Sequence, residues 1–227
     1  MSGIPNGAIP VLNAGFVRLV DTMGNDMSVV RSARVSYGKE SKGEEADQKL
    51  INYLMEHSHH TPFEHLNFTF HIRCPLFIAR QWMRHRIGSF NEISLRYTNY
   101  GDEDFWHPTE WRTNNKHNGQ SSGEVDWGAE GSLPFDYCLH DTYRDIDKAY
   151  KYLIDSGVAR EQARAILPMG SYTEFYWSVN ARSLFNFLKL RMYESAQKEM
   201  QDYAHAVYAL VQDMAPWTFE AFENHMM

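Results

Sequence analysis

A chain of 227 residues, 43% hydrophobic and 22% charged, has the length for one domain with a substantial core and the composition of a globular protein. Its net charge of −7 argues against a nucleic-acid binder, which needs a broad basic face. Two cysteines, Cys74 and Cys138, make neither a disulfide framework nor a metal-ligand pattern. No apolar run approaches the ~18 residues of a membrane span, and the start of the chain lacks a signal-peptide pattern, so the cytoplasm is the expected compartment.

Residues 1–13 read as a loose tail. Phe16, Val17, Leu19 and Val20 form a short apolar strand that stops at Met23-Gly24-Asn25-Asp26, where Asn25 or Asp26 can cap a helix through about Ser36. After a charged turn, Glu45–His57 carries Leu50, Ile51, Leu54 and Met55 at helical spacing. The corner that follows holds His57, His59, His60 and His65. Their spacing is poor for zinc, and no cysteine or paired acid completes a ligand set, so no metal site is expected. Thr61-Pro62-Phe63-Glu64 instead reads as a helix start, whose free N–H groups can hold a phosphate.

Residues 67–74 alternate with Phe68, Phe70, Ile72 and Cys74 on one face, as a half-buried strand does. Pro75 then opens a helix carrying Arg80, Gln81 and Arg84. The helix leads into RHRIGSFNEISLRY, residues 84–97. Between Arg80 and Arg96 stand four arginines and one acid, a local charge of 4 − 1 = +3 on an acidic chain. Such a pole suits a small anionic ligand, because the planar guanidinium fork matches phosphate or carboxylate oxygens two at a time. Glu92, Ser94 and Arg96 fall at i, i+2 and i+4, so an extended segment points all three one way, as a sugar phosphate would need.

Residues 98–134 are rich in Gly, Asn, Ser and acids yet contain Phe105, Trp106, Trp111 and Trp127, which suggests a lid or subunit-contact loop rather than a linker. Helical spacing returns from Phe135 to Ser156, with Tyr143, Ile146, Tyr150, Leu153 and Ile154 inward and Gly157 as the stop. A short helix over 158–168 sets Glu161 and Arg164 one turn apart. TEFYWSV is an aromatic strand, and Asn180 caps a helix whose Leu184, Phe187 and Leu188 are core and whose Asn186 and Arg191 are polar. The segments Ser195–Met214 and Pro216–Phe222 read as helical scaffold.

The window 84–97 matches the signature RHRxxSxNExSxRY, and on it the chain resembles the flavin-dependent thymidylate synthases. The similarity extends from GFVRLVDTMGND to the closing PWTFEAF, with 98–134 as the departure, to which nothing is carried over. The resemblance implies reductive methylation of deoxyuridine monophosphate (dUMP), with methylenetetrahydrofolate as carbon donor and flavin adenine dinucleotide (FAD), reduced by NADPH, as hydride donor. It assigns Thr61, Arg84, His85, Arg86, Glu92, Asn180, Arg182 and Asn186 to the flavin. Gln81, Arg84, Glu92, Ser94, Arg96, Arg164 and Arg191 fall to the nucleotide, and His59 lies beside the pocket. Arg191 is the expected catalytic group, its guanidinium drawing charge onto a uracil carbonyl, since neither cysteine has an evident activating partner. No G-x-G-x-x-G fingerprint is present, so the flavin is not expected in a Rossmann fold. The expected architecture is α+β: a helical bundle on a small, mostly antiparallel sheet, one domain over 1–227, assembled as a homotetramer with shared sites. Two competing readings are a flavin-dependent NADPH oxidoreductase of the same fold and a non-catalytic nucleotide-binding module.

Overall fold

A computed structural model describes residues 4–35, 38, 41–94, 105–115, 122–123 and 128–227. Among the described residues, five strands form one sheet: β1 (Ala8–Val11), β2 (Gly15–Met23), β3 (Asn67–Pro75), β4 (Ser89–Glu92) and β5 (Tyr172–Asn180). They lie in the order β1-β2-β3-β5-β4, and every pairing among them is antiparallel. The period-2 pattern of the central strands decides which face is buried. Phe68, Phe70, Ile72 and Cys74 of β3 and Phe175, Trp177 and Val179 of β5 point into one core, with Phe70 opposite Trp177 and Ile72 opposite Phe175. The outer face is polar: His71 stacks on Tyr176 at 4.6 Å and bonds Glu174 through Nε2.

Helices cover the apolar face. They are α1 (Asp26–Arg34), α2 (Glu44–Glu56), α3 (Leu76–Trp82), α6 (Ala181–Arg191), α7 (Lys198–Val211) and α8 (Pro216–Met226). Of the two caps the sequence offers for α1, Asn25 and Asp26, the structure uses Asn25: its Oδ1 accepts from Met27 N at 3.0 Å, while Ser28 Oγ accepts from Asn25 N. The next residue, Asp26, caps a second helix. Its two carboxylate oxygens accept from Trp217 N and Thr218 N at 3.1 and 2.9 Å, which pins α8 to α1. Between α1 and α2, Arg34 and Asp47 form a buried ion pair, and Ser41 Oγ also donates to Asp47.

Two glycines permit close approaches. A Cβ at Gly15 would collide with the Tyr203 hydroxyl, which crosses the strand to donate to Arg73 O at 2.8 Å. A Cβ at Gly88, inside the arginine window, would stand 2.7 Å from Trp177 Nε1, so the bend before β4 lies directly against the core.

A satellite core lies beside the main one. The helix α4 (Gly128–Asp155) and the short α5 (Arg160–Ala163) bury Tyr143, Tyr150 and Ala163 around Phe105, whose ring stacks on Tyr143 at 4.6 Å. Trp106 meets Phe77 edge-on, and Trp111 Nε1 donates to Asp136 at 2.7 Å. These aromatics therefore anchor the 105–115 segment to the body; Trp127 lies outside the described residues.

Three expectations shift. Within the stretch read as a loose tail, Ala8–Val11 forms β1 and pairs antiparallel with β2, Val11 being buried against the core. The helix predicted from Phe135 begins at Gly128, with Pro134 costing one hydrogen bond near its N-terminal end. The predicted helix start at Thr61 is a five-residue 3-10 turn, Thr61–His65, with His60 in the cap position and no side-chain cap hydrogen bond. Phe63 and Leu66 are buried there, and the chain must extend at once into β3, which leaves no room for a longer helix. Among the described residues, no helix is long and apolar enough to cross a membrane.

Candidate functional site

The site forms where the end of α3 meets α6. Pro75 starts α3, and Trp82 anchors its far end in the core against Trp177 and Phe187. Arg84, His85 and Arg86 follow immediately, at a helix end whose carbonyls favour cations. Opposite, α6 begins at Asn180, whose Oδ1 accepts from Ser183 N at 2.9 Å. That bond leaves the Asn180 amide N–H groups for a ligand. Arg182, Asn186 and Leu190 recur every four residues along α6, so they form one stripe.

The stripe and the arginine window enclose an open cavity of about 700 Å³, walled by His60, Glu64, Arg84–Ile87, Asn180, Arg182, Ser183, Asn186, Leu190, Arg191 and Met226. A second cavity, of about 920 Å³, runs from Gln81 along the turn that follows α6 to Gln197. Arg191 stands in the wall of both.

Arg191 is held from two sides. Its Nε donates to His85 Nε2 and its Nη2 to the main-chain oxygen of Gln81, each at 3.0 Å. Burial, and then the Arg191 charge, pull His85 down to about 4, so near neutral pH the ring is uncharged and accepts at Nε2 with its proton on Nδ1. Burial and neighbouring Arg84 lower Arg191 as well, though a guanidinium stays protonated throughout the physiological range. Among the described residues no carboxylate pairs with Arg191. Its charge is therefore fixed in direction and not cancelled. Arg182 is paired, donating to Glu64 Oε1 at 2.5 Å.

Of the residues assigned by resemblance, the smaller cavity gathers Arg84, His85, Arg86, Asn180, Arg182, Asn186 and Arg191, and the larger adds Gln81. Thr61 is exposed next to His60, outside the wall. Glu92 ends β4 with Oε1 accepting from Thr173 Oγ1 at 2.6 Å, and Ser94 is half-buried just beyond it. Neither lines the two cavities. Arg96 and Tyr97 lie outside the described residues. Arg164 is exposed on a 3-10 turn (Arg164–Ile166) beside the satellite core, in the wall of neither cavity.

Sequence reasoning missed Glu64, which reaches Arg182 across 118 positions, and Met226, from a helix read as scaffold. It also missed Gln197, whose Oε1 accepts from Gln81 Nε2 at 2.6 Å. None carries a local signal, since each acts on a residue far away in the chain. The two cysteines stand apart: Cys74 is fully buried, with burial and nearby Glu92 raising its thiol well above the usual range, and Cys138 is exposed on α4.

Comparisons with known proteins show the family. The family described as "Thymidylate synthase complementing protein" matches residues 18–217. A flavin-dependent thymidylate synthase of Thermosipho africanus is 53% identical over 212 residues, covering 93% of this chain and 92% of that protein. One from Thermus thermophilus is 46% identical, covering 96% of this chain and 79% of its own length. The crystal structure of a UMP/dUMP methylase, PolB from Streptomyces cacaoi, bound with 5-Br dUMP, superposes with a TM-score of 0.85 at 33% identity, covering 96% of this chain and 98% of that one. By signature, fold and sequence identity over nearly its whole length, the chain belongs to the flavin-dependent thymidylate synthase family.

Proposed function

We propose that the protein methylates deoxyuridylate to thymidylate, taking the carbon from methylenetetrahydrofolate. The observation that carries this reading is Arg191: a guanidinium with no carboxylate partner among the described residues, oriented by a neutral histidine and a main-chain carbonyl, in the wall shared by two cavities.

The residues present fit a flavin dinucleotide. Arg84, Arg86 and Arg182 supply the paired donors a diphosphate needs, and Asn180, Ser183 and Asn186 add neutral polar groups along the same wall. FAD held by these residues would, in its NADPH-reduced form, supply the hydride that completes the methyl group. The protein's own task is to make carbon 5 of uracil nucleophilic. With Cys74 sealed in the core and Cys138 on the surface of α4, addition of a thiol at the neighbouring carbon has no candidate in the cavity walls. Arg191, donating to a uracil carbonyl, favours the enolate-like form instead, which enriches carbon 5 in electrons. One such donor is worth roughly 3 kcal/mol. Holding the reactants side by side supplies a further large share.

The nucleotide site draws on more than one copy of the chain. Arg164 and Arg191 are both assigned to dUMP, yet Arg164 stands in neither cavity wall, which supports a homotetramer whose sites combine residues of neighbouring subunits. Residues 1–227 act as one catalytic domain, with 98–134 as a long polar loop or insertion, of which the described residues 105–115 are held to the body by Phe105 and Trp106.

The test is anaerobic spectroscopy of the purified, flavin-loaded protein. NADPH should bleach the flavin bands, and their return should require dUMP together with methylenetetrahydrofolate and yield thymidylate. Reoxidation indifferent to dUMP would overturn the reading in favour of a plain NADPH oxidoreductase.

A further inference from the structure

Behind Gln81 runs a hydrogen-bonded relay that the nucleotide reading does not use. Gln81 Nε2 donates to Gln197 Oε1 at 2.6 Å, and Gln197 Nε2 donates to Glu199 Oε2 at 2.9 Å. Glu199 Oε1 in turn accepts from Arg112 Nη2 at 2.5 Å. Glu199 is 5% exposed and lies in the first turn of α7, whose free N–H groups favour a carboxylate. Arg112 comes from the 105–115 segment, which Phe105 and Trp106 fasten to the body.

The relay has a direction, and chemistry fixes it. A carboxylate clamped by a guanidinium can only accept, so Gln197 must turn its NH₂ toward Glu199. Its oxygen then faces Gln81, which must answer with its own NH₂. That leaves Gln81 Oε1, without a hydrogen-bond partner among the described residues, on a side chain that lines the larger cavity. Arg191 lies directly alongside, through its bond to the Gln81 main-chain oxygen. We infer that Glu199, held by Arg112, is a positioning residue that sets the polarity of the Gln81 amide. The site thereby offers a donor (Arg191) beside an acceptor (Gln81 Oε1) and selects a ring with a carbonyl next to an N–H.

Uracil presents that edge, with a carbonyl on either side of N3–H. Cytosine does not, because its N3 is an acceptor and would face the Gln81 oxygen lone pairs. A buried mismatch of this kind is punished far more than a missing methyl group. The inference rests on the proposed dUMP site and adds to it the groups that decide which base the site admits.

The experiment titrates dUMP and deoxycytidine monophosphate (dCMP) into the flavin-loaded wild-type protein and two variants by calorimetry. Wild-type protein should prefer dUMP by about a hundredfold or more. In Glu199→Gln the group at 199 can donate as well as accept, the relay loses its direction, and the preference should fall about tenfold or more. Gln197→Met cuts the relay but leaves the Glu199–Arg112 pair intact. It should show the same fall, and it decides the matter if Glu199→Gln does not fold. Both nucleotides weakening in parallel in the variants, or an unchanged preference, would overturn the relay while leaving the dUMP site standing. Wild-type protein that ignores dUMP would overturn the site and the relay together.

Discussion

Arg191→Met removes the guanidinium and keeps most of the aliphatic stem, so it isolates the charge that the reaction is proposed to use. One preoriented donor to a developing oxyanion is worth roughly 3–4 kcal/mol, or about 10²–10³ in kcat. Here the loss should lie toward the upper end. The Arg191 charge has no carboxylate partner among the described residues, and two hydrogen bonds fix its direction before any ligand arrives. Single-turnover methyl transfer to dUMP is the assay, with flavin content and Tm measured alongside to separate chemistry from folding. His85 provides an internal check. Burial is the larger cause of its depressed value of about 4 and the Arg191 charge the second, so the variant should titrate part of the way back toward 6.5, read from the imidazole proton shifts. A folded, flavin-loaded variant that transfers methyl within about threefold of wild type would refute electrostatic activation by Arg191.

The same histidine gives stability a pH dependence. Its folded value lies below its unfolded one, so the unfolded chain binds the extra proton as pH falls from 6.5 toward 4; stability present above that window should fall across it, by less than the full shift implies because the ring is partly exposed to screening solvent, in urea melts at a series of pH values. His60 and Asp47, both also lowered, add in the same direction, so an acid-stable protein would contradict the assignment. Asp47→Ala strands the buried Arg34 guanidinium and should cost about 3–5 kcal/mol in chemical unfolding, whereas an exposed pair such as Lys49–Glu45 should cost under ~1 kcal/mol. Mixing separately inactive Arg164→Met and Arg191→Met proteins, after subunit exchange, should restore activity to about a quarter of wild type if each site takes one arginine from each of two copies; no recovery would place both arginines in one chain's site.

What the sequence discloses and what it hides follows the range of the interactions involved. Period-2 alternation in Phe68–Cys74 and TEFYWSV identifies β3 and β5 and their buried faces, because facing one core is a local property of a strand. Asn25 and Asn180 are legible as caps for the same reason: each acts on an N–H two or three residues away. The 3-10 turn at Thr61–His65 escapes this logic. Threonine, proline and glutamate favour a helix, but burial of Phe63 and Leu66 beside the start of β3 overrules them. The arginine window likewise announces an anion site without revealing what aims it. Arg191 is oriented by His85 and Gln81 from over a hundred positions away, and Gln81 is oriented by Gln197 and Glu199 from as far on the other side. The residues that touch a ligand are selected for chemical type, so they stand out in a sequence as arginines and amides in unusual number. The residues that point them are ordinary glutamines and glutamates at helix ends, and only the fold makes them part of the site.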